Sequence, residues 1–461
     1  MTIWVPDLAR HDGPRYQAIA AAIAQAVEGG TLNPGDRLPP QRDLAYRLGV
    51  TVGTVSRGYM LAEQQGLVAG EVGRGTYVRE PVRGASAPLV PPVEDGPVDL
   101  SINMATGRVQ AEALGRALET IAAAPGLENL LRYMPPAGHP EHRAAAARWV
   151  GRVGLEVGPE NLFLTQGAQQ GLALVFEALA APGDTVLAEA LTYPGIIENA
   201  HLKRVRLKGV ALDREGMIPE ALDEAARASG AKVVVLVPTV QNPTAAVMGE
   251  DRRRAIAEVA ARHELIIVED DVYGYLLPER PAPIATIAPE RTVYITSASK
   301  CLAPGLRVGW IVARQHLLAR FTDTVYAHSV AQPALTHEIL RRWIDDGTAV
   351  RLTDDLRDET QARQLLAAEV FDGFEVRTDP FSFHLLIDLP RPWRRDAFVA
   401  AALDQGVRVA SLASFALEPE TAPEAVRISL SAAPDRDTLR RSLGTLRDLA
   451  LAGPRASRAV I

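Results

Sequence analysis

Five short apolar runs, separated by longer helical patterns, constrain the fold of this chain more than any other feature of its sequence. They are apolar without alternation and rich in β-branched residues, as in strands buried on both faces, and Ala-rich stretches lie between them. The runs are NLFLT (161–165), TVLAEA (185–190), KVVVLVP (232–238), LIIVED (265–270) and TVYITS (292–297). From about residue 100 onward, the sequence therefore predicts an α/β domain with a mostly parallel sheet covered by helices.

Chain length and proline content divide the sequence into parts. The 461 residues exceed one ordinary core, so we expect at least two folding units. Residues 80–98 carry five prolines and no apolar periodicity, which predicts a semi-stiff linker. The predicted domains are therefore residues 1–79 and 99–450, with residues 451–461 as a C-terminal tail.

Composition excludes several classes of protein. The chain begins MTIWVPDLAR, without the basic start and apolar run of a signal peptide, and no apolar stretch reaches the roughly 18 residues of a membrane span. A single cysteine, Cys301, excludes an internal disulfide and a cysteine metal cluster, and we predict no metal site. We expect a cytoplasmic protein with no membrane partner. Because the net charge is −7, DNA binding would depend on particular arginines.

The first 80 residues have the pattern of three helices followed by a hairpin. Helical spacing over residues 16–27 predicts the first helix, and QRDLAYRLG (41–49) predicts the second, which ends at Gly49. The third, TVGTVSRGYMLAEQQG (51–66), follows after a tight turn, and LVAGEVGRGTYV (67–78) predicts two strands around a glycine-rich tip. This arrangement predicts a winged helix-turn-helix that binds DNA.

Five side chains of this domain are candidates for DNA contact. Thr51, Thr54 and Arg57, near the start of the third helix, are expected to face the major groove. Arg42, at the start of the second helix, and Arg74, at the wing tip, are expected to contact phosphates or the minor groove. A simple helix N-cap is an open alternative for Thr51.

Residues 14–78 resemble the GntR family of winged-helix bacterial repressors. The resemblance rests on four blocks, GDRLPPQRDLA, LGVTVGTVSRGY, QQGLV and GRGTYV. The family usually has Ser-Arg or similar after the valine of the turn, where this chain has Thr51-Val52. Since one familiar DNA-contacting arginine is absent, we expect a shifted base preference or an affinity that depends on other arginines.

The five predicted strands are each followed by residues suited to one cofactor. In open α/β sheets, ligands bind just past the carboxyl ends of the strands. Pyridoxal phosphate (PLP) needs a lysine, a carboxylate at its pyridine nitrogen, a donor at its phenolic oxygen, and amides, hydroxyls and a cation at its phosphate. The residues after the strands are Gly167, Ala168 and Gln169, then Tyr193, then Asn242, then Asp270 and Tyr273, and finally Ser297, Ser299, Lys300 and Arg307.

This order of residues resembles the type I PLP fold of the aspartate aminotransferase superfamily over roughly residues 100–450. The resemblance implies that Lys300 forms the Schiff base, that Asp270 pairs with the pyridinium nitrogen, and that Tyr273 and Asn242 hydrogen-bond the phenolic oxygen. It implies a phosphate cup of Ser297, Ser299 and Arg307 with Ala168 and Gln169, beside the amide of Gly167.

Three further positions follow from the same resemblance. Tyr193 matches the aromatic ring that stacks on the pyridine. Tyr133 matches a tyrosine that reaches the phosphate from the neighbouring subunit, which implies a homodimer. Arg427 matches the arginine that binds the α-carboxylate of an amino-acid substrate in a bidentate fork.

The whole chain is similar to the MocR subfamily of GntR-type bacterial transcription regulators. The resemblance implies a multidomain protein: an N-terminal winged-helix domain and a C-terminal α/β type I aminotransferase-like fold with a small α+β subdomain. It also implies PLP as cofactor, a double-stranded DNA operator as partner, and subunits paired head to tail. We hypothesise that an amino compound held at Arg427 displaces Lys300 from PLP, forms an external aldimine and changes the spacing of the two DNA-binding domains.

Two other functions are open at this point. Every group needed for transamination is present, so the chain could be a working aminotransferase with an accessory DNA-binding domain. A PLP sensor without an amino ligand would need Lys300 and the phosphate cup but not Arg427. The arginine therefore favours an amino-acid-like effector or substrate.

Overall fold

The computed structural model describes residues 4–8, 14–28, 31–32, 35–64, 67–71, 75–78, 96–104 and 108–454. The chain divides into two compact units, residues 1–85 and 86–461. Most of the predicted linker, up to position 95, lies outside the described residues, and its last residue, Val98, begins a strand of the C-terminal unit.

The N-terminal unit is a winged helix-turn-helix. Its elements are α1 (Arg15–Glu28), α2 (Gln41–Leu48), α3 (Val52–Gln64) and the antiparallel strands β1 (Val68–Glu71) and β2 (Gly75–Val78). The turn between α2 and α3 begins at Gly49, whose φ of 64° lies in the left-handed region where glycine carries no steric penalty. Ile19, Ile23, Val55 and Tyr59 are buried between α1 and α3 and form part of the core of this unit.

The C-terminal unit is built on a seven-stranded sheet, and all five predicted runs form strands of it. The chain runs through β3 (Val98–Asp99), β4 (Leu162–Thr165), β5 (Thr185–Glu189), β6 (Arg206–Val210), β7 (Leu212–Asp213), β8 (Gly216–Met217), β9 (Val233–Leu236), β10 (Ile266–Asp270), β11 (Thr292–Ser297) and β12 (Gly309–Val312). The order in the sheet is β4-β12-β11-β10-β9-β5-β6, and only β12 runs antiparallel to its neighbours.

Helices cover both faces of this sheet. They are α4 (Arg108–Ala122), α5 (Pro140–Gly151), α6 (Ala168–Leu179), α7 (Pro194–Leu202), α8 (Pro219–Ser229), α9 (Glu250–Arg262), α10 (Ile284–Ile287), α11 (Gln315–Ser329), α12 (Ala334–Asp345) and α13 (Thr348–Val370). Tyr294 and Ile295 are adjacent on β11 yet belong to different core clusters, because successive side chains of a strand point to opposite faces. Burial on both faces explains why the runs are continuously apolar.

A smaller α+β subdomain completes the unit. It contains β13 (Val376–Arg377), β14 (His384–Asp388), α14 (Arg395–Asp404), β15 (Val407–Arg408), β16 (Ala410–Ser411), β17 (Ala425–Ser429) and α15 (Arg436–Ala452). An antiparallel sheet in the order β13-β14-β17-β16 shares its core with α13, α14 and α15. The pairing of β3 with β15, Val98 against Val407, brings residues 98–104 into this subdomain.

The last helix reaches two residues into the predicted C-terminal tail, and residues 455–461 of that tail lie outside the described ranges. Across the described ranges, no helix has both the length and the apolar character needed to cross a membrane. Within the same ranges, no group of three or more His, Cys, Asp or Glu side chains could hold a metal ion.

Candidate cofactor site

The carboxyl ends of neighbouring strands bring the predicted site residues to one edge of the large sheet. Ser297, at the end of β11, pairs with Gly309 of β12, and Gly309 pairs in turn with Thr165 at the end of β4. Asp270 ends β10, the other neighbour of β11. Because β11 and β12 are adjacent and antiparallel, the loop between them stays at this edge, and that loop carries Lys300.

The amine of Lys300 is hydrogen-bonded to the backbone and has a lowered pKa. Its Nζ donates a hydrogen bond of 2.7 Å to the backbone oxygen of Asn103. Burial, with smaller contributions from the guanidinium groups of Arg427 and Arg307, lowers the pKa of Lys300 to about 8. A lysine with a lowered pKa has more of the neutral amine that attacks an aldehyde near neutral pH.

Asp270 is a buried carboxylate without a hydrogen-bonding partner at its Oδ1 atom among the described residues. Burial and the neighbouring charge of Asp271 raise the pKa of Asp270 to about 7. Asp271 also has no partner at its Oδ1 within the described ranges, but its Oδ2 accepts hydrogen bonds from Arg280 Nη1 at 2.6 Å and from the Tyr294 hydroxyl at 2.8 Å. A protonated ring nitrogen would donate a hydrogen bond to the Oδ1 of Asp270 and bring a positive charge next to it, so this carboxylate fits the pyridine of PLP.

Arg427 lies beside Asn242, deep in the same site. Its Nη1 donates to Asn242 Oδ1 at 2.9 Å, and its Nη2 donates to the backbone oxygen of Ser101. The guanidinium carbon lies 4.9 Å from the ring centre of Phe415. Burial lowers the pKa of Arg427 to about 10, which still leaves it charged at neutral pH. The predicted carboxylate-binding arginine and a predicted cofactor ligand are therefore in direct contact.

The predicted phosphate cup combines a helix N-terminus with an arginine. Helix α6 begins at Ala168 after Gly167, whose φ is 80°. Arg307 Nη2 donates to the backbone oxygen of Gln166 at 3.2 Å, and the Oγ of Ser297 accepts from the Ser299 amide at 3.3 Å. Free amides at a helix start together with a guanidinium favour a phosphate, so the residues present fit this part of PLP.

Two glycines let the backbone close tightly around this cup. A Cβ at Gly309 would lie 2.7 Å from the backbone carbon of Gly167, and a Cβ at Gly167 would lie 2.7 Å from Arg307 Nη2. We expect Gly309→Ala to displace the turn before α6, lowering the free energy of unfolding by about 2 kcal/mol and weakening PLP binding about tenfold or more. Urea unfolding and PLP titration would measure both effects.

The matched control is Gly305→Ala in the same loop. No atom lies within 4 Å of a Cβ at Gly305, so the free energy of unfolding of this variant should stay within about 0.5 kcal/mol of the wild-type value. Equal behaviour of the Gly309 and Gly305 variants would contradict the proposed close approach of β12 to the phosphate turn.

The remaining predicted cofactor residues differ in placement. Tyr193 is half-buried at the start of α7, and burial, with the nearby charge of Asp270, raises its pKa to about 12. Gln169 donates weakly to the Gly195 oxygen at 3.4 Å, and its Oε1 has no partner among the described residues. Tyr133 is 85% exposed, and no hydrogen bond in the described ranges joins it to the other site residues. Its role toward a neighbouring subunit stays a prediction.

The candidate DNA contacts lie on the surface formed by α2 and α3. Thr51 Oγ1 accepts from the Thr54 amide at 3.1 Å and lies 2.9 Å from Thr54 Oγ1, so Thr51 caps α3. The Arg57 guanidinium carbon lies 4.5 Å from the ring centre of Tyr16. Arg42 is exposed in the first turn of α2, whereas Arg74 lies outside the described residues.

Sequence reasoning missed two residues at the centre of the site. Asn103 Nδ2 lies 2.8 Å from the Tyr273 hydroxyl and 2.9 Å from His384 Nδ1. His384 is a polar residue in the buried strand FHLLID, which is a signal that could have marked it. Asn103 carries no such signal, since its segment, LSINMATG, has no motif and lies 170 residues from Tyr273 in sequence.

Comparisons with known proteins agree with this architecture. The family described as "Aminotransferase class I and II" matches residues 96–446, and the family described as "Bacterial regulatory proteins, gntR family" matches residues 15–78. The HTH-type transcriptional regulator YdeF of Bacillus subtilis (strain 168) is 28% identical over 97% of this chain and 96% of its own length. The HTH-type transcriptional regulator YdcR of Escherichia coli (strain K12) is 27% identical over 86% of this chain and 91% of its own length.

Solved structures agree at the level of fold. Kynurenine aminotransferase of Pyrococcus horikoshii superposes with a TM-score of 0.73 and 24% identity, over 79% of this chain and 93% of the enzyme. The α-aminoadipate aminotransferase LysN of Thermus thermophilus superposes with a TM-score of 0.68 and 25% identity, over 78% of this chain and 92% of the enzyme. The chain belongs to the class I and II aminotransferase family, whose cofactor is PLP, and its gntR-family N-terminal domain makes it a transcription regulator of the MocR type.

Proposed function

We propose that this regulator senses PLP, or an amino-acid-like effector that reacts with PLP, and changes its DNA binding in response. The observation that carries the proposal is that Lys300 and Arg427 both donate to backbone oxygens of the same short segment, residues 101–103. Lys300 would engage the aldehyde of PLP, and Arg427 the carboxylate of an effector. When bound, PLP supplies an aldehyde that reacts with amines and a ring that accepts electrons. Lys300 would hold this aldehyde, and the amine of a bound effector would compete with Lys300 for it.

Each residue around Lys300 would bind a different part of PLP or of the effector. Asp270 would hold the ring nitrogen in its protonated form, since its buried Oδ1, which has no hydrogen-bond partner among the described residues, would be stabilised by a cationic donor. Tyr273 and Asn242 would hydrogen-bond the phenolic oxygen, and Tyr193 would stack on the ring. Arg427 would turn from Asn242 and Ser101 to the carboxylate of the effector.

The segment 98–104 offers a route from ligand to DNA-binding domain. It begins at the last residue of the predicted linker, Val98. The amides of Val98 and Leu100 donate to backbone oxygens of the subdomain that carries Arg427, and the Leu100 oxygen accepts from the Ser429 amide of that subdomain. A ligand that takes over the hydrogen bonds of Lys300 and Arg427 would release the oxygens of Asn103 and Ser101. The ligand would thereby favour a different conformation of this segment, which is the differential binding that any allosteric response requires.

The assembly that we propose is a cytoplasmic homodimer on a double-stranded DNA operator, with subunits arranged head to tail. The exposure of Tyr133 supports a second subunit, because an 85% exposed tyrosine is available to reach a neighbouring phosphate site. Two DNA-binding domains on one dimer would fit two operator half-sites.

Arg42 gives a quantitative test of the DNA surface. We expect Arg42→Ala to weaken binding to all DNA sequences alike and to lower the slope of log affinity against log salt by about 0.9 for each phosphate that the side chain neutralises. Fluorescence anisotropy over a salt series would measure the slope. Arg206→Ala, at an exposed position of the C-terminal unit, is the control. An unchanged slope for Arg42→Ala would remove this residue from the interface.

The proposed function is tested by DNA binding with and without ligands. The full-length protein would be loaded with PLP and titrated with a fragment from its own upstream region, in the presence of a panel of amino acids. A sensor shifts its DNA affinity or its footprint with at least one ligand. Sustained multiple-turnover transamination without any effect on DNA binding would instead support an aminotransferase with an accessory DNA-binding domain.

A further inference from the structure

Asn103, Tyr273 and His384 form a buried hydrogen-bond network beside Lys300. Asn103 is 4% exposed, Tyr273 3% and His384 0%. One atom, Asn103 Nδ2, lies within hydrogen-bond distance of both the Tyr273 hydroxyl and His384 Nδ1. The direction of each hydrogen bond decides whether Tyr273 can donate to a ligand. Because Asn103 contacts both residues, that direction depends on which ring nitrogen of His384 carries a hydrogen.

The contact of His384 Nε2 determines which ring nitrogen carries the hydrogen. His384 Nε2 lies 3.1 Å from the backbone oxygen of Gln241, which can only accept a hydrogen bond. Nε2 therefore carries the hydrogen. Burial, with the nearby positive charge of Arg427, lowers the pKa of His384 to about 3, so the ring is neutral and Nδ1 is an acceptor.

With Nδ1 an acceptor, the amide of Asn103 has one allowed orientation. Its NH2 group donates one hydrogen to His384 Nδ1 and the other to the Tyr273 oxygen. The opposite orientation would place the Asn103 carbonyl oxygen against the lone pair of Nδ1. Since the Tyr273 oxygen already accepts from Asn103, its own hydrogen is free, and Tyr273 donates to no other residue in the described ranges.

We propose that Asn103, held by His384, is a positioning residue that makes Tyr273 a hydrogen-bond donor toward the phenolic oxygen of PLP. The inference rests on the proposed function only in that PLP occupies the site. Asn103 thus contacts two predicted cofactor residues. Its side chain bonds to Tyr273, and its backbone oxygen accepts from Lys300.

The first test needs no cofactor. In full-length protein labelled with ¹⁵N-histidine, long-range ¹H–¹⁵N spectra report which ring nitrogen carries the hydrogen, and His384→Gln assigns the signal by its loss. We expect the Nε2–H form of His384, unchanged down to about pH 5, given the pKa of about 3. An Nδ1–H form would reverse the amide of Asn103, make Tyr273 donate to it, and overturn the proposal.

The second test uses the visible band of the PLP-loaded protein. A donor at the phenolic oxygen stabilises its ionised form, so losing or misaligning that donor raises the pH at which the band titrates. We expect Asn103→Ala to raise this midpoint by about one pH unit, a tenfold change in proton affinity. Asn103→Asp should raise it further, because the carboxylate would accept the hydrogen of Tyr273.

A double-mutant cycle separates positioning from general disturbance. If Asn103 acts through Tyr273, adding Asn103→Ala to Tyr273→Phe should change the midpoint no further. Ser431→Ala is the matched control, since Ser431 Oγ accepts from the amide of Met104, in the same segment as Asn103, at 3.0 Å and makes no hydrogen bond to Tyr273 among the described residues. Wild-type midpoints in both Asn103 variants, or additive shifts in the cycle, would overturn the proposal. A wild type that stays colourless with PLP would count against the proposed function, while the histidine spectrum would still decide the orientation of Asn103.

Discussion

Replacing Lys300 by alanine is expected to abolish the response of DNA binding to amino-acid effectors. The variant loses the amine that holds the aldehyde of PLP, and with it the donor to the Asn103 oxygen in the segment after the linker. A tenfold change in the operator affinity of the wild type at saturating effector corresponds to a coupling free energy of about 1.4 kcal/mol. In Lys300→Ala we expect the affinity to change by less than about twofold. Its affinity for the operator without ligand should remain measurable, because Lys300 is remote in sequence from the DNA-binding domain.

The scarcity of lysine provides a clean control for this experiment. The chain has only four lysines, and Lys232 is an exposed one that pairs with Glu264 at 3.4 Å. Lys232→Ala should keep the full effector response, since surface ion pairs contribute about 1 kcal/mol or less to stability. Anisotropy titrations of operator DNA at several effector concentrations would compare the three proteins. A full response in Lys300→Ala would mean that the effector acts without a covalent step at this residue.

Replacing Asp270 by asparagine is expected to have opposite effects on cofactor binding and on stability. Asparagine cannot supply the negative charge opposite a protonated ring nitrogen, and the loss of one member of a buried charge pair costs about 2–5 kcal/mol. We therefore expect PLP to bind roughly a hundredfold or more weakly. Equilibrium titration of the visible band, in wild type and variant at the same pH, would measure the difference.

Without PLP, the same substitution should stabilise the protein at neutral and alkaline pH. Burial raises the pKa of Asp270 from its usual 3.8 to about 7, so folding favours the protonated form. The contribution of this group to stability is fully present below about pH 4 and is lost as the pH rises through 7. Asp270→Asn should therefore gain stability over the wild type between pH 4 and 7, by roughly 4 kcal/mol at most.

Substitution of the neighbouring carboxylate, Asp271, is the matched control, and it should change stability in the opposite direction. Asp271 pairs with the buried Arg280, so Asp271→Asn leaves a buried cation without its charge partner and should destabilise the protein by about 3–5 kcal/mol. Urea unfolding of the PLP-free variants at pH 5 and pH 8 would test both signs. A destabilised Asp270→Asn at pH 8 would show that this carboxylate is satisfied by the chain itself and does not await a cofactor.

Local pattern made much of the fold predictable. The strands are buried on both faces, so they appear in the sequence as continuous apolar runs. The carboxyl ends of parallel strands lie at the same edge of the sheet, so ligand-binding groups follow the strand ends. Short-range spacing therefore located Asp270 after β10 and Lys300 after β11. The reversed direction of β12 was less visible, because GWIV is short and the loop that joins it to β11 contains only one short 3-10 helix, Pro304–Leu306.

Long-range contacts account for the residues that the sequence did not reveal. Asn103 reaches Lys300 and Tyr273 only because β3 pairs with β15, some 300 residues later in the chain. Nothing in the local pattern around Asn103 encodes that pairing. In the DNA-binding domain, Arg57 packs over Tyr16, a contact that depends on how α1 and α3 pack. The Thr51 cap of α3 is by contrast a local contact, which the sequence offered as an alternative role for this residue. The DNA contacts themselves stay predictions.

The proposed function depends on the amine of Lys300 holding the aldehyde of PLP. Borohydride reduction of the PLP-incubated full-length protein, followed by mass spectrometry of its peptides, would show where PLP is attached. We expect a stable phosphopyridoxyl adduct on the peptide that contains Lys300, at close to one per chain, and none on Lys203, Lys208 or Lys232. Adducts spread over the surface lysines with Lys300 unmodified, or no adduct at all, would contradict it.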